Sequence, residues 1–115
     1  MTRGERLVRS WPLKESFYDA HARRAYAVMV EVASRIIDEP ALIDEGRAFL
    51  ERFSRDDPRQ QDAYRAWAEL LGQSAEQIAR ELLRDDERGA QLRDSAPVFV
   101  VIPPARKKEI WAQAS

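Results

Sequence analysis

One histidine, His21, and no cysteine stand in a chain of 115 residues. The lack of cysteine removes disulfides, zinc–thiolate sites and thiol catalysis. His21 then has no second imidazole or thiolate with which to hold a transition metal. It falls on an apolar helical stripe, four residues before Ala25, where a histidine satisfied by one hydrogen bond at the core edge is expected. The carboxylates come in pairs and runs: Asp38/Glu39, Asp44/Glu45, Asp56/Asp57 and Asp85/Asp86/Glu87. Such groups could bind magnesium or divide acid and base roles if they converged in a pocket. Three of the four sit at expected helix starts, where a carboxylate accepts from free backbone N–H groups and favours the helix dipole. Four glycines are spread along the chain, so no phosphate-cradling loop or dinucleotide fingerprint can be built, and the serines have only His21 as a candidate base. No catalytic residue, metal ligand or cofactor is therefore expected.

Charge is the next source of function. The formal net charge is −1, with 34% of residues charged, which argues against a surface that grips nucleic acid all round. The distribution is uneven. Residues 1–24 carry six basic and three acidic side chains, residues 103–115 carry three and one, and the span between carries ten and sixteen. Basic ends on an acidic body suit an acidic partner or a phosphate backbone, although solvation of the termini is the simpler account. Residues 1–13 read as an irregular basic arm, and its Arg3, Arg6 and Arg9 are the candidates for nucleic-acid contact. The longest apolar run, Val98 to Ile102, is far below the roughly 20 residues of a membrane span. The first sixteen residues lack the apolar stretch of a secretory signal. A cytoplasmic protein without membrane contact is expected.

The elements that would position these groups are helical. The 44% hydrophobic content suits one domain with one core. A first long helix is expected over about 16–37, capped by Ser16, with Phe17, His21, Ala25, Val28, Val32 and Ile36 along its stripe. Pro40 then opens a helix to about Phe53, in which Gly46 permits close approach of a neighbouring helix. Asp56-Asp57-Pro58 starts a third helix, about 58–71, which Gly72 ends in the left-handed conformation. Ser74 and Gln77 make an S-x-x-Q capping box for a fourth, about 75–84. Asp85 caps a short fifth through about Arg93, and Pro104 opens a last one holding Ile110 and Trp111. The fold class is thus all-α, a compact bundle of about five to six helices. The domain spans 14–95, followed by an extended segment and short helix over 96–115.

Residues 96–104, APVFVVIPP, break the helical pattern. Proline fixes φ and moves its predecessor out of the α region, so the run Val98, Phe99, Val100, Val101 and Ile102 is expected to be extended. Burying these five gives about 1.5–3 kcal/mol each. Ordering the ten or so residues around them costs about 1–2 kcal/mol apiece. The terms nearly cancel, so the segment needs a preformed surface. Its own first helix, a second copy or another protein could supply one, the last by edge pairing with the final helix docked beside it. Arg106, Lys107 and Lys108 fall in the first turns of that helix, where the dipole disfavours cations; an anionic neighbour would account for them. Trp11 and Trp111 lie outside the clearest amphipathic stripes and suit contact roles.

The stretch from Asp85 to Trp111, D-D-E-R-G-A-Q-L-R-D-S-A-P-V-F followed by R-K-K-E-I-W, resembles the tail of small bacterial all-helical antitoxin-like proteins. Those carry E-R-x-x-x-L-R-x-S-S-P-F and then a short E-R-x-x-I-[WY]-like helix. Ala96 and Val98 stand here where that pattern has serine and phenylalanine. D-E-P-A-L-I and W-A-E-L-L resemble their body. The resemblance implies the antitoxin half of a two-gene module, with a toxin protein as partner and Arg93 and Phe99 in the shared element.

The sequence therefore supports a non-enzymatic protein-binding module. Its expected contact residues are Arg93, Val98, Phe99, Val100, Val101, Ile102, Arg106, Lys107, Lys108 and Trp111. A DNA-binding regulator and a self-associating structural protein are the alternatives. Ser74 to Leu82 has the look of the first helix of a helix-turn-helix, but the next helix opens with Asp85-Asp86-Glu87, which would face phosphates.

Overall fold

In the computed structural model, residues 1–53, 61–97 and 99–114 are described. They form seven helices: α1 (Arg3–Arg9), α2 (Ala20–Asp38), α3 (Leu42–Phe53), α4 (Gln61–Leu70), α5 (Ala75–Leu82), α6 (Glu87–Asp94) and α7 (Pro104–Ala114). No strand occurs among the described residues. The all-α expectation holds, with one helix more than the five to six expected. The Asp56-Asp57-Pro58 start of the third expected helix lies outside the described residues.

The additional helix is α1, where an irregular arm was expected. Its Thr2 Oγ1 accepts from the Glu5 backbone N–H at 3.1 Å, and Thr2-x-x-Glu5 is itself a capping-box sequence. The helix is held in place by glycine. Gly4 is buried, and its N–H donates to Asp38 Oδ1 at 2.7 Å. A Cβ there would collide with the Ser34 carbonyl oxygen and crowd the Asp38 carboxylate. Val8, on the same face, is fully buried. The basic N-terminus is thus docked along the C-terminal half of α2.

α2 starts later than expected, because Asp19 and not Ser16 caps it; Asp19 Oδ1 accepts from Ala22 N at 2.8 Å. Its buried face carries Tyr26, Ala33, Ile36 and Ile37. His21 and Ala25 consequently face solvent, which corrects the expected core-edge placement of His21. The register is set by the Tyr26 hydroxyl, which donates to the Leu83 carbonyl at 2.8 Å and accepts from Lys14 N at 3.1 Å. One buried phenol therefore ties α2 to the end of α5 and to the irregular segment before α2.

Other expected ends also shift for local reasons. Pro40 sits in a tight turn, with Ile43 N donating to its carbonyl at 3.0 Å, before α3 begins. Gly72 does not adopt positive φ. The end of α4 is closed instead by Arg47 of α3, whose Nη2 and Nε donate to the Leu71 carbonyl at 2.6 and 3.1 Å. Ser74 caps α5 as expected, accepting from Gln77 N at 3.1 Å. Asp86, one residue beyond the expected Asp85, caps α6 by accepting from Gly89 N at 2.8 Å. Gly89 is obligatory here, because a Cβ would strike the Arg84 carbonyl oxygen.

The core lies between α2 and the layer made by α3 to α6. Trp67, Ile36, Leu71, Ile78, Leu82, Leu92 and Val8 are its fully buried side chains. Among the described residues no helix is long and apolar enough to cross a membrane.

Candidate partner-docking surface

The functional question concentrates on residues 93–111, which the structure divides into three kinds. The first is structural. Phe99 is only 8% exposed and belongs to the core. Its ring lies where a Cβ on Gly46 would sit, with ring carbons about 3.1 Å from that position. Gly46 therefore does permit a close approach, but by a phenyl ring and not by a helix. Arg93 is also committed internally. Its Nη1 donates to the Leu82 and Arg84 carbonyls at 2.9 and 2.8 Å, and its guanidinium lies 4.9 Å from the Tyr26 ring centroid. It closes the end of α5 and the turn into α6. Phe99 is thus buried, where a contact residue was expected, and Arg93 is half-buried with its Nη1 spent on two carbonyls.

The second kind is a latch. Arg106 was expected to meet acidic groups on another molecule. It meets Glu31 of α2 instead, with Nη2 and Nε donating to Oε1 at 2.8 and 3.1 Å, and Nη1 donating to Glu109 at 3.1 Å. Glu31 also accepts from Arg35 Nε at 2.9 Å, and its side chain is 11% exposed. Burial pushes the Glu31 carboxyl up, yet the hydrogen bonds and charges of Arg106 and Arg35 outweigh it and hold the pKa below its ordinary value. The anion that offsets a cation in the first turn of α7 is thus supplied from within. Beside the latch, Ile110 is 5% exposed and seats α7 on α2.

The third kind remains outward. Val101 is 81% exposed and Trp111 43% exposed. Val100 and Ile102 are half-buried, and Lys107 and Lys108 are exposed. Lys107 Nζ stands 5.4 Å from the Trp111 ring centroid. No ion pair joins either lysine to a carboxylate among the described residues. Val98 lies outside the described residues. The run is therefore pinned at Phe99 and open at Val101. Straight extended backbone would place these two on one face; a bend at Val100 breaks the expected extended course, and Val101 lies outward.

The remaining candidates lie elsewhere. Arg3, Arg6 and Arg9 are exposed on α1, spaced i, i+3, i+6 on the side away from Gly4 and Val8. Arg6 Nη1 also donates to the Met1 carbonyl at 3.0 Å. Trp11 is half-buried against the core, and Arg80 covers its ring at 4.6 Å. Of the two tryptophans marked for contact, only Trp111 is exposed. At the start of α6, Asp86 is committed to capping and to Arg84, whose Nη2 lies at 2.6 Å. The Gly89 N–H first, and Arg84 second, hold its carboxyl below the ordinary range. No three His, Cys, Asp or Glu side chains converge as a metal site among the described residues. Comparison with protein-family models, curated proteins and solved structures gives no match.

Proposed function

We propose that the chain is a non-enzymatic protein-binding module whose partner rests on the outer edge of residues 100–111. The observation that carries the reading is Val101, 81% exposed, two residues after a phenylalanine sunk in the core. Trp111 and the lysines extend that edge. A partner that places an apolar side chain against Val101 and Trp111, and carboxylates opposite Lys107 and Lys108, matches its chemistry. The sequence resemblance over residues 85–111 supports a narrower form, in which the chain is the antitoxin of a bacterial toxin–antitoxin pair.

Co-expression with the product of the adjacent gene, followed by co-purification, tests it. Complex formation is expected, with loss of the complex for Val101→Asp and for a Lys107→Glu/Lys108→Glu double variant whose thermal unfolding is unchanged. A complex that survives both variants refutes this surface. Truncation at residue 96 is the wrong test, because it removes Phe99 and Ile110 from the fold. Light scattering of the isolated chain distinguishes a second copy as the occupant of the edge.

The outward face of α1 favours a second reading, DNA contact by Arg3, Arg6 and Arg9. A gel shift that weakens steeply with salt would support it; no shift at low salt removes it.

A further inference from the structure

Behind the exposed lip of Val101 lies a cleft of about 310 Å³. Its walls are Val28, Met29 and Val32 of α2, Trp67 of α4, and Ile102. Lys107 is the one ionisable side chain among its described lining residues, and it has no carboxylate partner there. The indole N–H of Trp67 is already spent on Ser95 Oγ, at 3.1 Å. Such a lining presents an apolar body with a single cation at one side, within the size range of small-molecule pockets. The other side of Phe99–Val101 is net acidic: Asp38, Glu39 and Glu45 line a separate hollow there, against Arg35 alone. A negatively charged head group is repelled from that side and drawn to Lys107. A further hollow, between α1, α2 and α7, is far more polar: Arg9, Lys14, Arg23 and Arg106 line it together with Glu5 and Glu31, and of these Arg106 is spent on Glu31 and Lys14 on Asp85.

We propose that the cleft between α2, Trp67 and residues 99–102 binds a medium-chain carboxylate, its hydrocarbon inside and its head group on Lys107. The size follows from the volume. At about 30 Å³ per non-hydrogen atom, close to the share of one water in the liquid, the cleft holds on the order of ten atoms, the size of octanoate. The two readings share Lys107 but differ in their apolar contacts: the carboxylate needs the inside of the lip, the partner its outside.

The probe is sodium octanoate, titrated calorimetrically into the full chain. Saturable one-to-one binding is expected. Each methylene is worth about fourfold in affinity, so hexanoate should bind about fifteenfold more weakly, and chains longer than about ten carbons should gain no more. Lys107→Met should weaken octanoate about two- to fivefold, as for an exposed ion pair. Lys107→Glu should reverse the preference, so that octylamine binds more tightly than octanoate. Val28→Phe, or Val32→Phe should the first not fold, fills the cleft and should abolish binding with helical circular dichroism retained. No saturable binding by the folded chain overturns the proposal. So does equal binding of octanoate, octanol and octylamine in both the native chain and Lys107→Glu, which would mean a greasy surface without a site. Neither result bears on co-purification with a partner protein.

Discussion

The two ends of this chain look alike in sequence: both are basic, proline-marked and set apart from the acidic body. Their fates differ. The N-terminal end is sealed, because Gly4 lets the α1 backbone approach Ser34 and Asp38 of α2 and Val8 goes fully inside. The C-terminal end is fastened at separate points, Phe99, Arg106 and Ile110, with Val101 and Trp111 left outside. Basic charge at a terminus therefore says little about availability. A terminus that follows one continuous apolar face closes down, whereas one held only at separate points keeps part of itself for other molecules.

The sharpest way to break this contrast is at its deepest anchor. Phe99→Ala should cost about 3–5 kcal/mol in urea unfolding, the range for a buried aromatic; a loss under 1 kcal/mol would mean that the segment is not part of the core. Gly4→Val should come next, at about 2–4 kcal/mol, since a side chain there meets the Ser34 backbone carbonyl as well as the Asp38 carboxylate. Gly4→Val without effect would show that α1 is a loose appendage after all. The latch is weaker. Arg106→Gln should cost about 1–3 kcal/mol, as for a hydrogen bond to a charged group. The latch also sets a pH dependence. The Glu31 carboxyl titrates below its ordinary 4.5 in the folded chain, so its stabilising contribution is complete above that value and is lost as pH falls through the lower folded value. Acid titration should therefore loosen the native chain more than Arg106→Gln. The smallest effect is expected at Val101→Ser, within about 0.5 kcal/mol by thermal unfolding. There the contrast is sharpened, because stability stays while partner binding falls.

Much of this was written locally. The Ser74–Gln77 box and the helix start at Pro104 are short-range chemistry, and each stands where the sequence places it. α1 was equally local in principle, since Thr2 and Glu5 have the capping-box spacing. Gly4 and three arginines disguised it, because glycine weakens a helix unless a close neighbour rewards it, and that neighbour lies 34 residues away. Within Val98 to Ile102 every side chain is apolar, so composition cannot say which one goes in; only the ring-sized space over Gly46 selects Phe99. Arg47 on Leu71, Arg93 on Leu82 and Arg106 on Glu31 were illegible for a related reason. An arginine on a helix surface looks the same whether it faces water or reaches across to close another helix.

α2 receives α1 on one side, α5 on another and α7 on a third. Its covering is thus assembled from both extremes of the polypeptide. Chains emerge from the ribosome N-terminus first, so the strip of α2 that seats Ile110 must stay bare until α7 has been made, some seventy residues after α2. For that interval the nascent protein offers an unclaimed greasy stripe, and a chaperone or an early-arriving mate has its opportunity before the last helix swings home.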